Sequence, residues 1–182
     1  MEEKLTHQDE AGLPRMVDVS DKEPSLRTAV AEGFLRTSPA TLEALRAGRT
    51  PKGDPLVVAR IAGIQAAKRT ADLLPLCHPL PLSSVEVNVD IAPDGSGLHA
   101  TATVRVHART GVEMEALTAV TTSLLAAYDM LKAIDRGMRI EGVRLLRKTG
   151  GRSGDWDAPA AVRGDAATPA TGGGPGCCSS RT

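Results

Sequence analysis

The sequence predicts an α+β layer, with helices packed on one face of a mostly antiparallel sheet. Three observations carry this. The stretch "SSVEVNVDIAPDGSGLHATATVRVHAR" alternates over two runs: Val85, Val87, Val89 and Ile91 with Glu86, Asn88 and Asp90, then Leu98, Ala100, Ala102, Val104 and Val106 with His99, Thr101, Thr103, Arg105 and His107. With Pro93, Asp94, Gly95 and Gly97 between the runs, that is a β-hairpin with one buried and one wet face. From Glu113 to about Asp135, Leu117, Val120, Leu124, Leu125, Tyr128 and Leu131 recur at helical spacing. Strands that pair antiparallel, as in the hairpin, with long helical stretches between the strand-like ones, suggest helices on one face of the sheet.

Met1 to Arg15 is polar and aperiodic, a loose lead-in. "RTAVAEGFLR", Arg27 to Arg36, alternates loosely and leans to strand. Ser38-Pro39 supplies an N-cap and a first-turn proline, and Gly48 a stop, for a short helix over Pro39 to Ala47. Asp54-Pro55 repeats that start signal and opens a helix running to about Leu74, before Pro75. Beyond the hairpin and the long helix, which Gly137 ends, "MRIEGVRLLRK" reads as a last strand running into the glycine loop "KTGGRSG". The end, "DAPAAVRGDAATPATGGGPGCCSSRT", has almost nothing large to bury. Ordering each residue would cost ~1–2 kcal/mol of backbone entropy, so the reading from Asp157 onward is disorder. The resulting division is a lead-in over 1–15, one folded domain over 16–156 and a tail over 157–182.

The 182 residues hold one Phe, one Tyr and one Trp, so the core rests on Leu, Val, Ile, Met and Ala. That argues against aromatic platforms for single-stranded nucleic acid. Lys plus Arg and Asp plus Glu balance at 22 each, which gives no sign of bulk attraction to nucleic acid or membrane. No apolar run approaches the ~20 residues of a membrane span. The expectation is a soluble, cytoplasmic protein. Cys77, Cys177 and Cys178 make no disulfide framework, and the tail pair reads as incidental exposed thiols.

Four places hold polar residues that packing does not ask for. "ADLLPLCHPLPLSS" sets Cys77 and His78 in a loop stiffened by prolines. Such a loop can hold His78 ready for a ligand or a proton transfer; capping a helix end is the plainer reading, and no spacing of Cys or His supports zinc. "TGVEMEAL" puts Glu113 and Glu115 in a first helical turn. There acidic groups complement the helix dipole, or, if functional, face a donor-rich ligand edge. "YDMLKA" sets Asp129 and Lys132 three apart on one face, an ordinary ion pair or one tuned for acid–base work. "RKTGGRSG" surrounds glycines with Lys148 and Arg152, a composition suited to phosphate, without the spacing of a Walker loop. Lys52, Lys68 and Arg69 add positive charge. Glu115 and Asp129 are fourteen positions apart, so at ~1.5 Å rise they lie ~21 Å apart along one helix. A small substrate hardly bridges that within one chain, which predicts a site shared across a subunit interface.

"IAGIQAAKRTADLLPLCHPLPLSSVEV", "TGVEMEALTA", "YDMLKA" and "KTGGRSGDW" occur in this order. Together with "MVDVSDKEPSLRTAVAEG" they closely resemble the cyclic pyranopterin monophosphate synthase family of molybdenum-cofactor biosynthesis, from about Met16 to Trp156. The resemblance implies a ferredoxin-like α+β fold. It implies a lyase acting on a small-molecule substrate, 3′,8-cyclo-7,8-dihydro-GTP, with release of pyrophosphate. It implies a homohexamer built as a trimer of dimers with active sites where subunits meet, and chemistry without metal or organic cofactor. It marks Asp129 as catalytic and Leu76, Cys77, His78, Met114 and Glu115 as substrate contacts, and it matches Lys132, Lys52 and Lys148 to family lysines and Glu113 to a family block; the expectation from this is that Lys132 and Lys52 are catalytic with Asp129, and that Glu113 and Lys148 bind substrate. Leu131, Thr149 and Arg152 depart from the family pattern, where Cys, Ser and Lys are expected, and remove no catalytic group. A non-catalytic nucleotide-binding or assembly module would account for the glycine loop and basic residues but leave Asp129, Lys132 and the glutamates unused. A cyclohydrolase would call for a Cys/His metal set.

Overall fold

The computed structural model describes residues 9, 11–151 and 154–159. Nine elements follow in order: β1 (Ser25–Arg36), α1 (Pro39–Arg46), α2 (Pro55–Ala67), α3 (Thr70–Leu73), β2 (Ser84–Ile91), β3 (Gly97–Ala108), α4 (Glu113–Leu131), β4 (Arg139–Thr149) and β5 (Trp156–Asp157). The sheet order is β2-β3-β1-β4-β5, and every pairing is antiparallel. Helices follow β1 and β3, so the fold is α+β and ferredoxin-like. No helix of the described residues is long and apolar enough to cross a membrane.

Parity along the strands decides what faces the helices. In β1, Ala29, Ala31, Gly33 and Leu35 are buried while their neighbours are partly exposed. Ala100, Ala102, Val104 and Val106 of β3 and Val87 and Val89 of β2 complete the buried surface, on which Ala116, Ala119, Val120, Leu124 and Ala127 of α4 pack. Small side chains let α4 settle close: a methyl added at Gly33 would lie 2.9 Å from Val120 Cγ1. Gly63 plays the same part between helices. A Cβ there would overlap Ser123 Oγ and lie 2.8 Å from Ala119 O, so α2 and α4 touch backbone to backbone. On the helix-free face, Glu32 accepts from Arg144 Nε and Nη2 at 2.8 and 2.6 Å and pairs with His99 at 3.0 Å. His99 in turn stacks on Phe34.

The hairpin, the short first helix and the last strand lie where the sequence predicts, with β1 two residues longer at its start. Three boundaries differ. The helix expected to reach Leu74 stops at Ala67 and restarts as the single turn α3. Thr70 is buried, and its hydroxyl donates to Ala67 O at 3.1 Å, fixing the turn between the pieces. The long helix ends at Leu131, not near Asp135, because the Asp135 carboxylate is drawn to the start of α1. There it accepts from Ser38 N at 2.9 Å and Thr37 Oγ1 at 3.0 Å. The disorder boundary at Asp157 also moves. Trp156 and Asp157 pair with Lys148 and Arg147, and Ala158 N donates to Leu146 O at 2.7 Å, because β4 offers a free edge. Cys177, Cys178 and the tail beyond residue 159 lie outside the described residues, as does most of the lead-in.

Candidate active site

Three clusters of polar side chains form on the chain, two at the start of α4 and one at its end. At the end, Asp129 is held between two ammonium groups. Lys132 Nζ lies 2.6 Å from Oδ1, and Lys52 Nζ lies 2.7 Å from Oδ2 and 3.2 Å from the Asp129 carbonyl. Lys132 reaches Asp129 because the pair is three apart on a helix. Lys52 reaches it from 77 positions away because its loop opens α2, which runs opposite to α4. These bonds, that from Lys132 foremost, hold the Asp129 carboxyl down at about 2. All three side chains are about half exposed, so the triad is open to a ligand.

At the start of α4, no side chain caps the helix, and Glu113 and Glu115 occupy the first turn. Glu115 is 4% exposed. Burial pushes its carboxyl up to about 6, offset in part by a hydrogen bond from its own backbone N–H and reinforced by the Glu113 charge. It closes a cleft of about 320 Å³ that includes Lys68, Arg69, Thr70, His78 and Pro79. The proline loop does hold His78 in place. Its Nε2 donates to Val17 O at 2.9 Å, which leaves Nδ1 as the ring's remaining polar atom. Cys77 is half-buried beside this cleft, and burial, then the Glu115 charge, pushes its thiol up. Leu76 and Met114 are 38% and 41% exposed, apolar surface beside the polar groups.

The third cluster surrounds a cleft of about 690 Å³ lined by Lys22, Arg27, Arg109, Glu113, Lys148 and Gly151, among others. Lys148, near the end of β4, lies 4.0 Å from Glu113 Oε1. Gly111 leaves room for Glu113 to fold back, since a Cβ there would overlap its carboxylate. The glycine loop does not turn all its amides toward a ligand. Gly150 N donates to Asp155 Oδ1 at 3.0 Å. Gly150 and Gly151 adopt φ of +84° and +90° and press against Leu26 O and the Arg27 guanidinium, where any side chain would collide. Arg152 lies outside the described residues. Arg27 and Arg109 were not among the residues singled out from sequence. Arg27 carried a signal: it shares the parity of Ala29, Ala31 and Leu35, where a charge is out of place. Its Nε is buried without a hydrogen-bond partner among the described residues.

The clusters lining the two clefts adjoin at the start of α4, and the Asp129 triad stands at the other end of the same helix. The chain's relatives can now be set beside this geometry. The MoaC family model matches residues 16–151. A cyclic pyranopterin monophosphate synthase of Nostoc is 57% identical over 156 residues, 86% of this chain and 93% of its own length. That of Thermomicrobium roseum is 57% identical over 153 residues, 84% and 92% of the two chains. That of Deinococcus radiodurans is 58% identical over 147 residues, 81% and 86%.

Proposed function

The chain belongs to the MoaC family, and from that membership we propose that it converts 3′,8-cyclo-7,8-dihydro-GTP into cyclic pyranopterin monophosphate with release of pyrophosphate, a step in molybdenum-cofactor biosynthesis. The observation that carries the reading is the triad of Lys52, Asp129 and Lys132, a proton-transfer group standing open to solvent on a chain so similar to named synthases.

The reaction asks for proton transfers at carbon, nitrogen and oxygen while a pterin and a pyranose take shape. A ribose-derived oxygen then forms a bond to the α-phosphorus, its proton leaves, and the α-phosphorus–oxygen bond to the departing pyrophosphate breaks. In this reading Lys132 is the general acid–base. Asp129 orients it through the ion pair at 2.6 Å. Lys52, bonded to the same carboxylate, is a second proton donor. Lys148, with Arg27 and Arg109 around the larger cleft, meets the phosphates and the charge growing on the leaving group. Glu113 and Glu115 accept from the N–H edge of the guanine-like ring, with His78, Leu76, Cys77 and Met114 forming the wall beside it. The working unit is a homo-oligomer, a hexamer built from dimers. The ~21 Å of helix between Glu115 and Asp129 supports a site completed by a second subunit.

The test is pyrophosphate release from 3′,8-cyclo-7,8-dihydro-GTP by the purified chain and by Lys132→Ala. Release by the native chain that collapses in the variant supports both the reaction and the placement of its chemistry. Equal release by both moves the acid–base role to another group. No release by a folded native chain overturns the reading.

A further inference from the structure

The proposed function leaves one residue of the stretch around Glu113 without a task, and its surroundings supply one. Gly111 shows neither of the usual reasons for glycine. Its φ lies outside the left-handed region, so its backbone suits an L side chain, and neither backbone nor core is what stands nearest to it. The three atoms closest to where its Cβ would be are all from Glu113: Oε2, which the Cβ would overlap, then Cδ at 2.8 Å and Oε1 at 3.0 Å. Of the described glycines, this is the one whose empty space is filled by a single carboxylate. Glu113 is the first residue of α4, yet its carboxylate turns back and lies over a residue two positions earlier. From there Oε1 is 4.0 Å from Lys148 Nζ, with the two side chains 32% and 22% exposed. Glu115 also feels this charge, which adds to burial in pushing its carboxyl up.

We propose that Gly111 is a positioning residue: the space beside its Cα seats the Glu113 carboxylate on the rim of the larger cleft, against Lys148, so that substrate meets both groups already placed. The inference rests on the proposed function, in which Glu113 takes the ring edge and Lys148 a phosphate. The neighbour on the other side keeps the seat where it is. Val112 is 1% exposed in the core, and its carbonyl accepts from Ala116 N at 3.1 Å. The backbone at 111 cannot withdraw without drawing Val112 out of the core. The carboxylate, by contrast, is the far end of a flexible side chain, so it is the part that yields to a methyl group. Gly111→Ala therefore folds, and it displaces Glu113 from its place beside Lys148. A binding group that is placed before substrate arrives need not be ordered on binding, and such a gain shows in KM rather than in kcat.

Two measurements test this. In a crystal structure of Gly111→Ala without substrate, the Glu113 carboxylate is expected to leave position 111 and to lie farther from Lys148 Nζ than in the native chain. Glu113 in its native place overturns the inference, whatever reaction the chain performs. The second measurement is a double-mutant cycle on pyrophosphate release from 3′,8-cyclo-7,8-dihydro-GTP. Gly111→Ala is expected to raise KM on the order of 10-fold, with kcat nearly kept and the thermal midpoint not lowered. In a Glu113→Ala background the same substitution has no carboxylate to displace, and should change KM by less than about 2-fold. A further rise on the order of 10-fold in that background, or a loss confined to kcat, overturns the inference. Should Gly111→Ala not fold, the double variant Gly111→Ala, Glu113→Ala decides: a folded chain supports the seat, and a second failure overturns it. If the native chain releases no pyrophosphate, the proposed function falls, and the place of Glu113 in the crystal alone decides the seat.

Discussion

Glu115 and Asp129 are carboxylates on one helix, and their surroundings push them in opposite directions. Asp129 stands in solvent between two lysines and sits at about 2. Glu115 is buried beside another acid and sits at about 6. Position along the helix does not explain this. The start of α4 carries the positive end of the helix dipole, which favours a charged carboxylate, yet there the proton is held more tightly. Burial outweighs the dipole, whose effect is worth a fraction of a kcal/mol to ~2 kcal/mol and fades within a turn. The two ends are therefore suited to different tasks. One keeps a fixed negative charge that positions cations; the other can exchange a proton near neutral pH.

The largest test of this contrast removes a cation from the Asp129 end. Lys132→Ala is expected to lower kcat by ~10²–10⁴-fold, the range for a general acid–base group, with far less change in KM. A near-native kcat would show the triad to be structural. Lys148→Ala addresses the other end, where our reading gives the group to phosphate. Loss of a charged hydrogen bond of ~1.5–3 kcal/mol should raise KM on the order of 10–100-fold with kcat nearly kept. A fall in kcat alone would make Lys148 a proton donor.

Glu115→Gln sharpens the contrast through stability. At pH below about 4.5 Glu115 is protonated in both folded and unfolded chains and contributes nothing. Between that value and about 6 the unfolded chain releases its proton first, so folding loses stability as pH rises, by about 2 kcal/mol once ionisation is complete. Gln cannot ionise, so above neutral pH the variant should be the more stable by up to that amount, and denaturant melts at pH 4 and pH 8 would show it. Asp129 has the opposite sign: its contribution is present above about 4 and fades as pH falls toward about 2. The smallest effect is expected from Asp135→Ala. Removing the carboxylate that receives Ser38 N and Thr37 Oγ1 should cost about 1 kcal/mol of stability and leave the Glu115 end untouched.

Much of this was readable in advance where one segment decides its own structure. The hairpin alternates over both strands and carries turn residues between them, so its register follows from local pattern. Lys132 beside Asp129 is helix arithmetic. What escaped depends on distant segments. "AAKRTADLL" is composed of residues that tolerate helix, and the break before Thr70 comes from that side chain's burial. Lys52 binds Asp129 only because α2 and α4 run in opposite directions. β5 exists because β4 has a vacant edge. Arg27 could have been found by parity, since a guanidinium in register with buried Ala29, Ala31 and Leu35 needs a reason to be there. Arg109, in a turn after β3, gave no such sign.

The contact at Gly63 has a mechanical meaning. It is where α2 bears on α4 with no side chain of its own, against Ser123 Oγ and Ala119 O, between Lys52 at one end and Lys68 at the other. A methyl group there would overlap Ser123 Oγ and crowd Ala119 O, so any larger residue at 63 has to force α2 and α4 apart.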